Sequence, residues 1–203
     1  MRVDVLVFDG VDDLDVTGPF ETLSMARRAG ADVSVRLVAE DERTAVTTAG
    51  GLRLGPVSPW SPVVADVVLV PGGGLASSQR PGVAVELGRG QIPAALREAV
   101  RPGLVLASVC TGAFLLAAAG VLGGRKATTH HMTMKALAEA GAEPVDARVV
   151  DDGDVVTAGG VTAGLDLGLW LLERFHGPEI AARVARGLEY ERQGAVWLAG
   201  SVA

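Results

Sequence analysis

Runs of apolar residues alternate with helical patterns along the whole chain. The apolar runs have strand length and are rich in β-branched residues: Val3–Phe8, Val33–Val38, Val63–Val70, Leu104–Val109 and Val145–Val150. The helical patterns lie between and after them: Pro19–Arg28, Pro93–Val100, Thr111–Ala119, Met132–Ala140, Leu165–Phe175 and Pro178–Leu188. Strands that are apolar throughout are buried on both faces, and strand–helix–strand succession favours a parallel sheet. We therefore predict one α/β domain over residues 1–203, a three-layer sandwich with a mostly parallel central sheet flanked by helices.

Two small β-hairpins are predicted beside this sheet. Thr44–Leu54 has a glycine pair at its middle, and Val145–Val150 is followed across an Asp-Gly turn by the apolar segment Val155–Thr157. Pro56–Pro62 is rich in proline and serine, so we expect a loop there. Leu75–Gly90 shows no clear period, so we expect an irregular surface segment.

The composition narrows the class of protein and its partners. Hydrophobic residues make up 49% of the chain and charged residues 21%, as in ordinary globular domains, and the formal net charge is −6. Because no basic cluster is present, we expect no nucleic-acid partner. The apolar stretches are too short to span a bilayer and the N-terminus lacks a signal-peptide layout, so we predict no membrane association and a cytoplasmic location. The sequence ends at Ala203, so we expect no appended DNA-binding domain.

Cys110 is the only cysteine, which excludes an internal disulfide and a cysteine-based zinc cluster. It follows the apolar run Leu104–Val109 and precedes an Ala- and Leu-rich helix, with the small residues Ser108 and Gly112 two positions to either side. This layout is typical of a nucleophile elbow, where backbone N–H groups at the start of the helix favour a thiolate. The alternative is a small buried hydrophobic side chain, the usual role of a free cysteine. The strand–Cys–Thr–Gly–helix setting favours the nucleophile.

A glycine run follows the neighbouring apolar strand and supplies candidate hydrogen-bond donors. Gly72 and Gly73 come after Pro71, where the strand ends. We expect this turn to lie beside Cys110 at the carboxyl edge of the sheet and to offer a backbone donor to an anionic intermediate. The amide of Thr111 would be the second donor. By itself such a glycine run indicates only a turn.

Asp15 is the candidate proton donor. It lies between two apolar residues, just before a helix that we expect Pro19 to open. A carboxyl group in this position is predicted to have a raised pKa. A helix cap formed by Asp15 or Thr17 explains the same spacing equally well. We expect Asp12 and Asp13 to lie in a solvated loop.

Three histidines complete the set of candidate site residues. His130 lies twenty residues after Cys110 and is a candidate for the substrate-binding site, whereas His131 is expected to cap or open the next helix. Adjacent side chains diverge, and no further histidine or cysteine lies near them in sequence, so we predict no metal site. His176 is expected at the surface.

Together these elements resemble the ThiJ/PfpI superfamily, with its class I glutamine amidotransferase-like, flavodoxin-like fold, over essentially the whole chain. Within it the motifs resemble those of the isocyanide hydratases. The resemblance rests on five segments in the expected order: Leu14–Pro19, Val70–Gly73, Ser108–Gly112, Gly124–His130 and Gly159–Asp166. The sensor domains of AraC-type regulators share these motifs.

The resemblance implies roles for three residues. Cys110 matches the family's nucleophile, Asp15 its acid position, and Thr111 the position after the nucleophile. It implies the addition of water to an isocyanide through a Cys110 thioimidate, giving an N-substituted formamide without metal or organic cofactor. It also implies a homodimer. His131 stands where relatives usually carry Trp, which implies a different pocket shape.

Two other functions fit the same motifs. The first is a glyoxalase- or deglycase-type activity, which Thr111 and Asp15 disfavour because those branches commonly have His and Glu at these positions. The second is a non-catalytic domain that senses a ligand or an oxidant. The net charge of −6 and the absence of a helix-turn-helix pattern disfavour a complete regulator.

Overall fold

An eight-stranded sheet forms the centre of the computed structural model, which describes residues 1–200. The chain contains twelve described strands in all: β1 (Arg2–Leu6), β2 (Ser34–Ala39), β3 (Val46–Thr47), β4 (Arg53–Leu54), β5 (Val57–Pro59), β6 (Val67–Val70), β7 (Val105–Val109), β8 (Lys126–Ala127), β9 (Glu143–Pro144), β10 (Val149–Asp151), β11 (Val155–Ala158) and β12 (Trp197–Leu198). The order in the central sheet is β12-β10-β11-β7-β6-β1-β2-β5. Neighbouring strands from β11 to β5 are parallel, and only the β10–β11 pair is antiparallel.

Two groups of helices flank this sheet. The helices are α1 (Asp13–Met25), α2 (Val83–Arg89), α3 (Gln91–Ala99), α4 (Gly112–Ala118), α5 (Met134–Glu139), α6 (Ala163–His176) and α7 (Pro178–Gly187). One group consists of α1, α6 and α7, which pack against one another, and the other consists of α2, α3 and α4, with α5 against α4. The predicted three-layer α/β sandwich is confirmed.

The core lies between the helix groups and the central strands. Every residue of β6 and β7 is buried, which is why these segments are apolar without alternation at every position but Ser108. The helices α1 and α6 approach closely because glycines face larger side chains: a Cβ on Gly168 would lie 2.7 Å from Thr22 Cγ2, and one on Gly164 would lie 2.8 Å from Pro19 Cδ. This contact fixes the start of α1 relative to the start of α6.

The helix α1 begins six residues earlier than predicted. Asp12 caps it by accepting a hydrogen bond from the Leu14 amide at 3.2 Å, so Pro19 lies inside the helix instead of opening it. The prediction of a cap at Asp15 or Thr17 was therefore wrong. So was the prediction of a solvated loop at Asp12 and Asp13.

Two segments predicted as irregular contain regular structure. Within Leu75–Gly90 the helix α2 buries only Val83 and Glu86, and a buried glutamate at a core position hides the helical period. Within Pro56–Pro62 the strand β5 pairs with β2 at the edge of the sheet, where proline is tolerated because one side needs no donor. Conversely, β6 starts only at Val67, because Pro62–Val64 forms a 3-10 turn.

Both predicted hairpins are present. The strands β3 and β4 pair in antiparallel fashion within Thr44–Leu54, and β10 and β11 pair across the Asp-Gly turn. Within the second hairpin β10 begins only at Val149, later than predicted. None of the helices in residues 1–200 is long and apolar enough to cross a membrane.

Candidate active site

Cys110 occupies a sharp turn between β7 and α4. Its φ is +56°, in the left-handed region that residues other than glycine seldom adopt, and its amide donates to the Gly159 carbonyl at 2.9 Å. Gly112 allows α4 to start against the next strand, since a Cβ there would lie 2.1 Å from the Val70 carbonyl oxygen. The elbow predicted from the sequence is thus the local structure found, with the thiol held at the carboxyl edge of β7.

Asp15 lies in the first turn of α1 and is fully buried. Its Oδ2 accepts a hydrogen bond from the Gly72 amide at 2.9 Å, whereas its Oδ1 is buried with no hydrogen-bond partner in the described residues. Burial raises the pKa of this carboxyl to about 7, and the negative charge of Asp12 adds to the rise. Hydrogen bonding from Gly72 and the proximity of Cys110 and the Val161 amide oppose it. The carboxyl group can therefore both give and take a proton near neutral pH.

The thiol of Cys110 is only 8% exposed and lies beside Asp15. Burial raises its pKa to about 12, and the Asp15 charge contributes to the rise. The amides of Thr111 and Val161 act in the opposite direction, because both donate toward the sulfur. The amide of Thr111 at the start of the helix does lower the pKa, as expected, but the expectation of a thiolate was wrong because the two amides do not outweigh burial. The charge of Asp15 disappears when Asp15 is protonated, so proton transfer from sulfur to carboxyl relieves part of this penalty.

The glycine turn after β6 was expected to offer a backbone donor to a substrate, but its amides bind protein groups instead. The Gly72 amide is used by Asp15, and the Gly73 amide donates to Thr111 Oγ1 at 3.0 Å. The same hydroxyl donates to the Gly73 carbonyl at 2.8 Å. Both amides and the Thr111 hydroxyl are therefore engaged within the protein, and none of them is a free donor to a substrate. Gly72 must be glycine, since a Cβ would lie 2.6 Å from Thr111 Oγ1 and 2.7 Å from Asp15 Oδ2.

Val161 is a site residue that residue-by-residue reasoning missed. It precedes α6, has a φ of +48°, and directs its amide toward Cys110 and Asp15. A β-branched residue in this conformation is strained, so the surrounding structure must hold it there. Its signal in the sequence was the segment Gly159–Asp166, which carries part of the family resemblance but assigned no role to Val161.

His130 lies near the site but not against the thiol. Its ring covers Gly160, where a Cβ would lie 2.4 Å from His130 Cδ2, and its Nδ1 accepts from the Met132 amide at 3.3 Å, which makes His130 the cap of a short 3-10 turn. His131 is exposed and stacks on His130 with ring centroids 4.4 Å apart. His131 was expected to cap or open the next helix: it is the first residue of the 3-10 turn His131–Thr133, whereas the cap is His130. The two histidines line an open cleft of about 380 Å³ that reaches Gly160 and Val161.

His176 was predicted to lie at the surface, and this prediction was wrong. It is half-buried at the end of α6, and its Nε2 is buried with no hydrogen-bond partner in the described residues. Burial lowers the pKa of this imidazole.

The site is therefore a buried thiol beside a carboxyl whose pKa lies near neutrality, at the carboxyl edge of the sheet in a three-layer α/β fold. The model of the DJ-1/PfpI family matches residues 1–174, and the chain belongs to that family. It is similar to the isonitrile hydratase of Pseudomonas putida, with 38% identity over 191 residues that cover 94% of this chain and 78% of that protein. The crystal structure of a ThiJ/PfpI family protein from Pseudomonas syringae matches with a TM-score of 0.81 and 30% identity, covering 95% of this chain and 76% of that one.

The chain is also similar to a transcriptional regulator. The HTH-type transcriptional regulator CdhR of Pseudomonas aeruginosa is 38% identical over 92 residues, which cover 44% of this chain and 27% of the regulator. The match is therefore confined to less than half of either chain.

Proposed function

We propose that this protein adds water to an isocyanide, R–N≡C, with Cys110 as nucleophile and Asp15 as the group that moves the protons. The observation that carries the proposal is the Asp15 carboxyl, which is buried beside the chain's only thiol and whose Oδ1 makes no well-formed hydrogen bond in the described residues, although the thiol and the Val161 amide lie near the carboxyl. A buried polar atom without a partner costs free energy unless a substrate or water completes its hydrogen bonding. The similarity to an isonitrile hydratase over 94% of the chain supports this choice of reaction.

In the first step the sulfur of Cys110 attacks the terminal carbon of the isocyanide. The thiol proton passes to the Asp15 carboxylate, and Asp15 then delivers it to the same carbon, whose lone pair accepts it. A C–S bond and a C–H bond form, the C–N triple bond becomes a double bond, and the product is the thioimidate R–N=CH–S–Cys110. The amides of Thr111 and Val161 stabilise negative charge on the sulfur while the proton is on Asp15.

In the second step Asp15 activates water. The carboxylate takes one proton as the water oxygen bonds to the thioimidate carbon, and the nitrogen receives that proton from Asp15. The C–S bond then breaks, and the hydroxyl proton returns to the sulfur through Asp15. One water molecule has been added in total, the product is the formamide R–NH–CHO, and Cys110 is a thiol again.

The decisive experiment combines turnover with trapping of the intermediate. Purified protein is incubated with a panel of aryl and alkyl isocyanides, formamide is quantified by chromatography, and mass spectrometry of quenched protein detects an adduct on Cys110. We expect formamide formation by the wild type and neither product nor adduct with Cys110→Ala. Full activity of Cys110→Ala, or no formamide from any isocyanide, would refute the proposal. Methylglyoxal consumption is measured in parallel, because it tests the glyoxalase-type alternative.

A ligand-sensing role is the second candidate, favoured by the similarity to the regulator CdhR. Sensing needs binding without turnover. An isocyanide or other electrophile that raises the melting temperature of the wild type, with no product released, supports sensing over catalysis. The homodimer and the cytoplasmic location stay predictions.

A further inference from the structure

The turn that carries Val161 is clamped at both ends by one residue, Arg148. The Arg148 carbonyl accepts a hydrogen bond from the Gly159 amide at 3.0 Å, just before the turn. Its side-chain Nη2 donates to Thr162 Oγ1 at 2.9 Å, just after the turn. Only Gly160 and Val161 lie between the two anchors.

Arg148 is itself held by a buried carboxylate. Its Nε lies 2.5 Å from Asp166 Oδ2, and Asp166 is 1% exposed in the first turn of α6. The Tyr190 hydroxyl donates to the same oxygen at 2.9 Å, and the backbone amide of Gln193 donates to Oδ1 at 2.8 Å. The guanidinium therefore has one defined orientation, in which Nη2 donates to Thr162 Oγ1 at 2.9 Å and, over a longer distance of 3.4 Å, to the Tyr190 hydroxyl.

We propose that Arg148 is a positioning residue that keeps the strained Val161 amide directed at the Cys110 thiol by binding the Thr162 hydroxyl. The inference rests on the proposed function only in taking Cys110 as the nucleophile. A β-branched residue with positive φ relaxes unless the chain around it is held. The first amides of α6 bind the Gly160 and Val161 carbonyls, and Arg148 adds an anchor on each flank, at Gly159 and at Thr162. Loss of the clamp therefore weakens the hydrogen bond from the Val161 amide to the sulfur. A substitution at Thr162 does this without altering the cleft that the two histidines line, whereas Arg148 is part of that lining.

The Thr162 hydroxyl offers a mild way to test the clamp. Thr162 is exposed and begins α6 without a side-chain capping bond, so the hydrogen bond from Arg148 is the contact that a substitution removes. Replacing Thr162 by isosteric Val deletes the acceptor, whereas Ser retains it. The charged groups that act on the thiol, Asp15 and Asp12, are untouched.

The test measures the reactivity of the thiol, not only turnover. The rate of Cys110 alkylation by iodoacetamide is followed by mass spectrometry over a range of pH for the wild type, Thr162→Val, Thr162→Ser and Arg148→Met. Arg174→Met is the matched control, because Arg174 on α6 also pairs with a buried aspartate, Asp151, at 2.9 Å and is equally exposed, 29% against 28% for Arg148.

We expect Thr162→Val and Arg148→Met to raise the apparent pKa of the Cys110 thiol and slow its alkylation by ~3- to 10-fold, the effect of losing one hydrogen bond. Thr162→Ser and Arg174→Met should match the wild type. Unchanged alkylation of Thr162→Val, or an equal effect of Arg174→Met, overturns the proposal. If Arg148→Met does not fold, Thr162→Val decides. Since alkylation needs no isocyanide, the inference is tested even if the wild type shows no hydratase turnover, a result that would count against the proposed function alone.

Discussion

Two buried aspartates occupy the same place in two helices that pack against each other. Asp15 is in the first turn of α1, and Asp166 is in the first turn of α6. Both are at most 1% exposed. Their surroundings differ completely: Asp166 receives hydrogen bonds from Arg148, Tyr190 and Gln193. Asp15 receives a hydrogen bond from Gly72 at 2.9 Å, and its other hydrogen-bonding neighbours are the Cys110 thiol and the Val161 amide.

The difference indicates that the supply of donors, not burial, separates a carboxylate paired with a cation from one whose pKa burial raises to about 7. An arginine and two further donors satisfy Asp166, so its charge is stabilised where it lies. Asp15 has no cationic partner in the described residues and keeps one oxygen unpaired, so its proton stays available near neutral pH. Parallel substitutions of the two aspartates test this distinction.

The largest expected effect is on catalysis. Asp15→Asn keeps the side-chain shape and an acceptor for the Gly72 amide but cannot transfer a proton, so we expect kcat/KM for isocyanide hydration to fall by ~10²- to 10⁴-fold. Asp166→Asn should lose at most about tenfold, through the Arg148 clamp. Formamide production under identical conditions measures both. Equal losses for the two variants would remove the distinction between the two carboxyls.

The second effect is on the pH dependence of stability. The pKa of Asp15 is about 7 in the folded protein and ordinarily 3.8, so the folded state binds this proton more tightly than the unfolded chain. The stability it contributes is complete below about pH 4 and is lost as the pH rises through 7, a loss of up to about 4 kcal/mol. We therefore expect the wild type to lose stability relative to Asp15→Asn between about pH 4 and pH 8, as measured by urea unfolding.

A constant difference between these two proteins across that range would mean that Asp15 titrates like an exposed carboxyl. The Glu21→Gln variant controls for the general effect of removing one carboxyl group, because Glu21 is an exposed residue on the same helix.

The third effect is the loss of folding stability when Asp166 no longer pairs with Arg148. Asp166→Asn leaves the Arg148 guanidinium, which is 28% exposed, without its carboxylate, and we expect a loss of about 3 kcal/mol in the free energy of unfolding near neutral pH. Asp15→Asn should not destabilise the protein under the same conditions. Chemical denaturation of both variants gives the comparison, and a destabilisation of Asp15→Asn equal to that of Asp166→Asn would contradict it.

Most of the fold was predictable because its core strands are recognisable from their own apolar residues. The β7 segment is apolar at every position but Ser108, and its burial on both faces leaves no other placement. The start of α1 was not predictable from local preference. Proline favours the first helical position, yet Pro19 is tolerated inside α1, where it packs on Gly164 of α6. A contact between residues so distant in sequence has no local signature.

Cys110 and Asp15 were predictable as residues of the candidate site, whereas Val161 and the electrostatics of the site were not. The elbow identified Cys110, and the apolar neighbours of Asp15 indicated a raised pKa. The helix start suggested a thiolate, but the pKa of Cys110 depends on burial and on Asp15, both set by tertiary packing. The strained turn at Val161 was invisible for the same reason, since nothing about a valine in sequence indicates a positive φ.

The smallest expected effect distinguishes the two roles of Asp12, as a helix cap and as a charge near Asp15. This residue caps α1 through the Leu14 amide, and its charge helps to raise the pKa of Asp15. Asparagine caps a helix as well as aspartate does, so Asp12→Asn should leave stability unchanged, whereas Asp12→Ala should cost about 1 kcal/mol.

Both Asp12 substitutions remove the charge, so both lower the pKa of Asp15. The reactive form of the site holds one proton between Asp15 and Cys110, and it appears when the pH rises through the Asp15 pKa, which is about 7 in the wild type. We therefore expect the rate of formamide production to rise with pH through this range, and the midpoint to move to lower pH in both variants. A midpoint that moves only in Asp12→Ala would assign the effect to the cap, because that variant alone loses the hydrogen bond that starts α1.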